Sequence, residues 1–394
     1  MRILMLQRFD IYNVPGTVRM VNLATQFVLH GHQVTLCYYP DLYRRKVYSP
    51  IRTDDPIRID IVTLEPGKLA LFKNIRTVCR LAKSSDIIHF QKCFPDAAIP
   101  ALFAAYRYDK PVHYDWDDRE AALAADWSRS KLVKFALTVY EWLIPKLVDT
   151  VTVSTDMIRD LAIHYGAKSD KIFDAPVGAD IELFNPAVNG ARIKLKWNLT
   201  TPVIIYHGQL DLGTYADQLL KSAPAILEHF PTAQVLIVGG GDKLPQLKQL
   251  ANELKISKNV LFTDYVNQEE IPEYIAAADI AVACFADNEI TRGKSPLKIA
   301  EYLAMGKPII ASRVGDIPKM IGNAGILVNP NDINALAEGI NQLLNNSDKL
   351  SELRKQARLR AEQIYNWTSV AKTFITAYNA GRIKYEGQST KFST

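Results

Sequence analysis

Short apolar runs alternate along most of this chain with longer amphipathic stretches of helical period. Such alternation is typical of βαβ units, in which a helix links two parallel strands and covers one face of their sheet. The pattern is interrupted over 186–202, where Asn, Pro and Gly cluster in a polar stretch. Because 394 residues exceed one ordinary core, we expect two α/β domains with parallel sheets, 1–185 and 203–366, joined by a linker at 186–202.

The apolar runs also locate the individual strands. In the first domain, strands are predicted at 3–6, 33–38, 57–64, 86–90, 112–115, 150–154 and 172–175. The second domain repeats the pattern, with short apolar runs at 203–207, 233–238, 260–262, 280–283, 309–312 and 326–328. A last helix at 367–382 precedes a polar tail at 383–394, which we expect to be disordered.

Two parallel α/β domains place the carboxyl ends of both sheets at a central cleft, where loops and helix N-termini converge on ligands. This arrangement suits an enzyme that holds one substrate in each domain. The net charge of +5 is small and evenly spread, which excludes a nucleic-acid partner because such a partner needs a concentrated basic face. No apolar run approaches the roughly 20 residues that span a bilayer.

One segment, 43–83, is locally basic. Its basic residues are Arg44, Arg45, Lys46, Arg52, Arg58, Lys68, Lys73, Arg76, Arg80 and Lys83. The segment is interpreted either as a solvated helix face with its loop or as a patch for an anionic membrane surface or a lipid-phosphate acceptor. A second amphipathic stretch, 132–147, is interpreted as a core helix in preference to a membrane-docking face.

The four cysteines, Cys37, Cys79, Cys93 and Cys284, are scattered and lack the spacing of a metal or redox site. Reduced structural cysteines are typical of cytosolic proteins. The N-terminal sequence MRILMLQRF indicates a short buried strand that turns polar at Arg8 rather than a signal peptide. We therefore expect a cytoplasmic protein, with peripheral attachment at the inner face of the membrane as the alternative.

The segment DNEITRGKSPLKIAEYLAMGKP, 287–308, carries the strongest indication of chemistry. Ser295 is a favourable N-cap and Pro296 suits the first helical position. The N-terminus of such a helix attracts anions, and Lys298 in its first turn makes sense beside a pyrophosphate. Glu301 lies on the same helix face as Lys298, where its carboxylate could accept hydrogen bonds from a ribose diol. The alternative is an amphipathic helix with an exposed Lys–Glu pair.

The motif S-P-L-K-x-x-E-Y-L-A-M-G-K-P-I resembles the donor-binding signature of retaining glycosyltransferases of family 4, which adopt the GT-B fold. Further segments fall in the order of that family, and these are 151–154, 176–186, 235–241, 259–262, 277–282 and 365–367. The resemblance covers nearly the whole chain. It implies two Rossmann-like domains facing a central cleft, with the last helix crossing back to the N-terminal domain.

The resemblance assigns donor-binding roles within the motif. Ser295, Pro296 and Leu297 would contact the diphosphate through their backbone. Lys298 would neutralise phosphate charge, and Glu301 would bind the ribose hydroxyls.

Other donor-binding residues are implied outside the motif. Gly239 and Gly241 would let the chain turn near the base, although an ordinary strand-to-helix turn is the alternative. Gly16 would approach the donor phosphate, with a plain βα turn equally compatible. His207, which ends a strand and precedes Gly208, is a candidate for a phosphate or sugar contact or else a core histidine.

Three positions depart from the family pattern. Gly293 stands where a glutamate usually touches the donor sugar, and Gln209 and Thr214 stand where Arg and Lys usually clamp the pyrophosphate. Two charge-assisted contacts of about 1.5–3 kcal/mol each are therefore absent from those positions. Glu289 and Arg292 could substitute for the glutamate that position 293 lacks. Part of the missing positive charge could come from Lys298, Lys294 and Arg292.

Asp115, Asp117 and Asp118 form an acidic group at the end of a predicted strand. In the family pattern Asp117 takes the position of a histidine and Asp118 that of an aspartate, which implies a role toward the donor sugar or the acceptor. Neighbouring carboxylates raise one another's pKa and could orient or deprotonate an acceptor hydroxyl. The alternatives are an Asp-x-Asp manganese site and helix-capping aspartates. The resemblance favours a reaction without metal or cofactor, with Asp117, Asp118 and Lys298 as the catalytic candidates.

Together these features predict a retaining glycosyltransferase. It would move a hexose-type sugar from a UDP- or GDP-sugar to a glycan, a lipid-linked acceptor or a small molecule. The alternatives are a GT-B sugar-nucleotide epimerase, which needs no acceptor, and a non-catalytic nucleotide-sugar-binding or assembly protein.

Overall fold

The computed structural model describes residues 1–11, 17–40, 58–128, 130–200, 202–211 and 215–389. The chain divides into two units, the first comprising Met1–Pro176, Gly293–Ser295 and Trp367–Thr394 and the second Val177–Arg292 and Pro296–Asn366. The division after Pro176 precedes the predicted boundary at 185. Phe184 is buried in the second core, and the amide of Ala179 donates to the carbonyl of Tyr365 at 2.9 Å. The stretch predicted as a linker also belongs to the second unit.

The first unit contains a seven-stranded parallel sheet of order β3-β2-β1-β4-β5-β6-β7. Its strands are β1 (Arg2–Leu6), β2 (Gln33–Tyr38), β3 (Asp60–Thr63), β4 (Ile87–Gln91), β5 (Val112–Trp116), β6 (Thr150–Val153) and β7 (Ile172–Asp174). The helices between them are α1 (Thr17–Leu29), α2 (Leu71–Ala82), α3 (Pro95–Tyr108), α4 (Glu120–Trp127), α5 (Lys131–Leu147) and α6 (Asp156–His164). Strands β4 and β5 are buried along their whole length, as expected for a parallel sheet that is covered on both faces.

The second unit contains a six-stranded parallel sheet of order β10-β9-β8-β11-β12-β13. Its strands are β8 (Val203–His207), β9 (Gln234–Val238), β10 (Val260–Phe262), β11 (Ile280–Ala283), β12 (Ile309–Ser312) and β13 (Gly325–Val328). Its helices are α7 (Ala191–Lys196), α8 (Ala216–His229), α9 (Leu244–Glu253), α10 (Ile271–Ala277), α11 (Glu289–Arg292), α12 (Leu297–Ala304), α13 (Ile317–Ile321), α14 (Ile333–Leu344) and α15 (Ser347–Gln363). Helix α7 lies within the predicted linker, and its Ile193 is fully buried in the second core.

The last helix, α16 (Trp367–Ser389), belongs to the first unit. Its Tyr378 hydroxyl lies 2.6 Å from Nδ1 of the buried His89. The helix extends past 382, so the predicted disorder is wrong for 383–389, and 390–394 lie outside the described residues. The extension is held at Asp149, which accepts a hydrogen bond from Tyr385 at 3.0 Å and lies 3.5 Å from the Lys384 ammonium.

None of the helices in the described part of the chain is long and apolar enough to cross a membrane. Cys37, Cys79, Cys93 and Cys284 are all free and buried. Burial raises the pKa of Cys37 and of Cys284 to about 12, which keeps both thiols protonated at neutral pH.

Candidate functional site

Helix α12 of the second unit begins one residue later than predicted. Pro296 occupies the N-cap position with extended backbone (φ −71°, ψ 119°), and its own side chain makes no capping hydrogen bond. Ser295 is therefore not the N-cap, because the backbone turns helical only at Leu297. The first-turn amides of a helix have no partner within it, and Lys298 lies beside them. Gly306 follows the C-cap residue Met305 and has φ +60°, which is common for a residue just beyond a helix C-terminus.

The Lys298 ammonium is held over aromatic rings. Its Nζ lies 3.9 Å from the ring centroid of Tyr206 and 5.7 Å from that of Phe285. A Cβ added to Gly208 would lie 3.1 Å from this nitrogen. Gly208 therefore gives Lys298 room to lie against the carboxyl end of β8.

Glu301 contacts His207, the last residue of β8. Its Oε2 lies 3.1 Å from Nε2 of His207, with the two side chains only 6% and 8% exposed. The adjacent Tyr302 hydroxyl accepts a hydrogen bond from the His207 amide at 2.9 Å, and its ring packs edge-on against the imidazole at 4.9 Å. The predicted residues His207, Gly208, Lys298 and Glu301 are thus brought together at the end of β8.

The glycine turn after β9 packs on the loop after β8. Gly239 has φ +130° and Gly241 has φ +150°, where other residues are strained. A Cβ on Gly239 would collide with the carbonyl oxygen of Gly208, and one on Gly241 would collide with the backbone of Leu210 and the carboxylate of Asp211. Both glycines are therefore required by the turn itself, whether or not a ligand binds beside it.

Neither of the described positions that depart from the family pattern, Gln209 and Gly293, carries a positive charge. Gln209 donates a hydrogen bond to the carboxylate of Asp211, and Thr214 lies outside the described residues. Arg292 pairs with Asp287 through two contacts of 2.6 and 2.9 Å on the surface. The charge of Arg292 is therefore already partnered in this structure.

The other predicted donor-binding residues are less informative. Gly293 is buried, Lys294 and Ser295 are half-buried, and Leu297 is the first residue of α12. Gly16 lies outside the described residues.

A second polar cluster lies at the carboxyl edge of the first sheet. Lys92 follows β4 and is 4% exposed, and its Nζ lies 2.6 Å from Glu120, 2.7 Å from Asp118 and 3.2 Å from Asp117. Oxygen atoms of the three carboxylates lie within 4.8 Å of one another, a spacing that a metal ion could use. In this structure the Lys92 ammonium supplies the positive charge among them. We call these four residues the Lys92 cluster.

Asp115 does not join this cluster. It forms a bidentate ion pair with Arg19 at 2.7 and 2.9 Å and accepts a hydrogen bond from Thr152 at 2.8 Å. The hypothesis of a metal site formed by Asp115, Asp117 and Asp118 is therefore wrong with respect to Asp115. Within the described residues, the acidic group with metal-binding spacing contains Glu120 instead of Asp115.

Burial sets the ionisation of the Lys92 cluster. It raises the pKa of Asp117 to about 6 and that of Glu120 to about 7, against the opposing effect of the ammonium. Burial alone would lower the pKa of Lys92, but the surrounding carboxylates raise it well above its usual value. The cluster thus combines a permanent cation with carboxyl groups that exchange protons near neutral pH.

Lys92, Glu120 and Arg19 were not predicted from the sequence. The available signal for Lys92 was a charged residue two positions after the run IIHF at 87–90. Its left-handed backbone, φ +64°, has no sequence signal because lysine rarely adopts it. Arg19 lies within the amphipathic pattern of α1 and resembles any helical arginine.

Two protein-family models match the chain. One is described as Glycosyl transferase 4-like domain and matches 16–178, and the other is Glycosyl transferases group 1 and matches 189–360.

Two related proteins match over different shares of the chain. A D-inositol 3-phosphate glycosyltransferase of Corynebacterium urealyticum is 32% identical over 246 residues, which cover 59% of this chain and 57% of that protein. An MMP alpha-(1->4)-mannosyltransferase of Mycolicibacterium hassiacum is 25% identical over 351 residues, covering 86% and 82%. The chain thus spans little more than half the length of the first relative and most of the second.

Solved structures share the fold at low identity. Anabaena Alr3699/HepE in complex with UDP has a TM-score of 0.72 at 17% identity, covering 96% of this chain and all of that one. Sucrose-phosphate synthase from Thermosynechococcus elongatus has a TM-score of 0.71 at 19% identity, covering 96% and 98%.

The two family models account for both parallel-sheet units in chain order, and the second includes the motif on α12. The chain therefore belongs to the group 1, family 4-type glycosyltransferases and has the GT-B fold.

Proposed function

We propose that this transferase moves a hexose-type sugar from a nucleoside-diphosphate donor to a hydroxyl group of a glycan, a lipid-linked acceptor or a small molecule, with retention of anomeric configuration. The observation that carries the proposal is the contact of Glu301 with His207 beside Lys298 at the end of β8. Ligands of parallel sheets bind at such carboxyl ends. A buried carboxylate next to a cation suits a ribose diol that adjoins a diphosphate.

The proposed chemistry depends on stabilising the leaving group. Lys298 and the first amides of α12 would take up the charge that develops on the departing diphosphate. A charge-assisted hydrogen bond from Lys298 would contribute about 1.5–3 kcal/mol. Gly208, Gly239 and Gly241 have no Cβ, so the nucleotide could approach the backbone closely at these positions.

The relatives' names support GDP-mannose as the donor to test first. Mannosyltransferases of Corynebacterium glutamicum and Mycolicibacterium smegmatis, 31% and 28% identical over the matched parts, are named as GDP-mannose-dependent. A UDP-sugar is the second choice, because it fits the same motif.

In the first unit, Asp117 and Asp118 would orient the acceptor hydroxyl or accept its proton. With a pKa of about 6, Asp117 is mostly ionised at neutral pH and can act as a base. The reaction is proposed to proceed without added metal, so activity should persist in EDTA.

Donor binding is tested by thermal shift with GDP, UDP, GDP-mannose and UDP-glucose. The wild type should be stabilised by one nucleotide and its sugar, and Glu301→Gln should lose most of that shift. Glu253→Gln, an exposed substitution on α9 of the same unit, is the matched control and should keep it. No stabilisation by any nucleotide, or equal stabilisation of Glu301→Gln, would refute the donor site.

Product analysis separates transfer from the alternatives. Sugar transfer to an acceptor with the anomeric configuration of the donor supports the proposal. Conversion of the donor sugar without any acceptor would indicate an epimerase. Binding with neither transfer nor hydrolysis of GDP- and UDP-sugars would indicate a non-catalytic binding protein.

A further inference from the structure

Helix α5 of the first unit is apolar on both of its faces. Leu137, Ile144 and Pro145 are buried on one side. The opposite side is exposed, and its large apolar side chains with their exposed fractions are Leu132 79%, Phe135 68%, Val139 38%, Trp142 48% and Leu147 52%. The spacing from Leu132 to Trp142 follows the helical period, so these residues form one outward stripe. The stretch predicted as a core helix is therefore only half core.

The charges on α5 are arranged around this stripe. Lys131, Lys134 and Lys146 are exposed, and the Lys146 ammonium lies 3.2 Å from the ring centroid of Trp142. The helix has one acidic residue, Glu141, which is fully buried and accepts a hydrogen bond from the amide of Ala121 at 3.0 Å. The charge on the exposed face of α5 is therefore entirely positive.

The same character continues onto the neighbouring helices, because α3 packs against both α5 and α2. The exposed aromatic residues there are Phe103 at 50% and Tyr106 at 91% on α3, and Phe72 at 83% on α2. Exposed basic residues accompany them, and these are Lys73, Arg76 and Arg80 on α2 and Arg107 on α3. Of the segment predicted as a basic patch, 43–57 lies outside the described residues, and the described part contributes through α2. We call the outward faces of α2, α3 and α5 the aromatic–basic face.

We propose that the aromatic–basic face docks the protein on an anionic lipid bilayer. Soluble proteins rarely expose large contiguous apolar patches unless a partner covers them. Aromatic side chains at the headgroup level and a rim of lysine and arginine are the two components of interfacial membrane binding. The proposal does not depend on the donor or the acceptor of the enzyme.

The charge distribution favours a bilayer over a second copy of the chain. Two copies meeting through this face would oppose Lys131, Lys134 and Lys146 to the same lysines, with Glu141 buried and unable to neutralise them. An anionic membrane supplies negative charge over the whole surface, and each basic residue near it adds to binding.

The test is sedimentation of the full chain with vesicles of phosphatidylcholine alone or with phosphatidylglycerol. The wild type should bind the anionic vesicles and not the neutral ones, and binding should weaken with salt. Phe135→Ser combined with Trp142→Ser should lower binding at least about tenfold, since the apolar contribution is lost. The matched control combines Leu195→Ser and Leu359→Ser, which change exposed leucines of the second unit, and should bind as the wild type does.

A charge series provides a second, independent variant that leaves the apolar stripe in place. The triple variant Lys131→Gln, Lys134→Gln and Lys146→Gln should bind anionic vesicles on the order of 100-fold more weakly, because removing each charge weakens binding by about tenfold or less. The control series makes the same change at exposed lysines of the second unit, which are Lys196, Lys248 and Lys258. Circular dichroism and thermal melting establish that each variant is folded.

Two results would overturn the proposal. One is equal binding of the wild type and both face variants to anionic vesicles. The other is a wild type that is dimeric by light scattering, fails to bind vesicles and becomes monomeric in the Phe135/Trp142 variant, because the face would then be a self-association surface. Donor-dependent thermal shifts should be the same in all of these variants, so failure of membrane docking and failure of the proposed transferase site are distinguishable.

Discussion

Replacing Lys92 with methionine removes the ammonium group of the Lys92 cluster while keeping an unbranched side chain that is shorter by one atom. It also keeps a Cβ at a residue with φ +64°, so the backbone cost is unchanged and only the charge is tested. Without the ammonium, Asp117 and Glu120 can stay buried only by remaining protonated. Removing one partner from a buried ion pair usually costs about 3–5 kcal/mol.

The pKa values set the size and the pH dependence of this loss. At about pH 8, the pKa of Glu120 lies about 1 unit and that of Asp117 about 2 units below the solution pH. At about 1.4 kcal/mol per unit, keeping both protonated destabilises the fold by about 4 kcal/mol relative to the wild type. Both folded-state pKa values rise further in the variant, and the stability that a raised pKa provides is lost as pH rises through it. At about pH 5 both groups are already protonated in the wild type, so the loss should fall to roughly 1 kcal/mol.

The assay is urea denaturation followed by tryptophan fluorescence in a Trp197→Phe background. The four remaining tryptophans then all lie in the first unit, so the transition reports on the unit that contains the Lys92 cluster. The exposed substitution Lys83→Met on the same unit is the control and should change stability by less than about 0.5 kcal/mol. A loss that is equal at both pH values, or below about 1 kcal/mol at the higher one, would refute the reasoning.

Three further outcomes are expected. Gly239→Ala should cost at least about 2 kcal/mol in the free energy of unfolding, because its Cβ meets a backbone carbonyl oxygen; Gly31→Ala, with a positive φ but open space, should cost only about 1 kcal/mol. Arg19→Met should cost about 3–5 kcal/mol by chemical denaturation, because it leaves Asp115 buried without its partner; a loss like that of a surface arginine would contradict this. In steady-state assays, kcat/KM should decrease as the pH is lowered below about 6, because Asp117 becomes protonated. Asp117→Asn should lower kcat about 10²- to 10⁴-fold and abolish that pH dependence. If the variant keeps the decrease at acidic pH, Asp117 is not the base.

Several strands and one helix were predicted from short segments of the sequence. The largely apolar runs at 33–38 and 203–207 coincide with β2 and β8, because strands of a parallel sheet that is covered on both faces are mostly apolar. The motif at 295–309 likewise located helix α12, since its proline, lysine and glutamate lie within a few residues of one another. Its N-cap was misplaced by one residue because cap assignment depends on backbone angles that several neighbouring residue types permit.

The domain boundary required the tertiary structure. The polar stretch at 186–202 has the composition of a linker, yet it contains α7, whose Ile193 is buried in the second core. Its apolar residues follow no clear period, so the sequence alone does not predict that the segment packs on the second core. The extension of α16 to Ser389 was not predicted because its anchor, Asp149, is distant in the sequence.

What the sequence by itself determined is the order of βα units, the family and the motif on α12, since each is encoded by residues that are close neighbours along the chain. The pairings of Lys92 with Glu120 and of Arg19 with Asp115 were decided only by the fold, because parallel strands bring distant residues to one sheet edge. The outward face of α5 was decided in the same way. A helix that is apolar on both sides does not specify which side faces the core, and that choice depends on what the neighbouring helices and the sheet can bury.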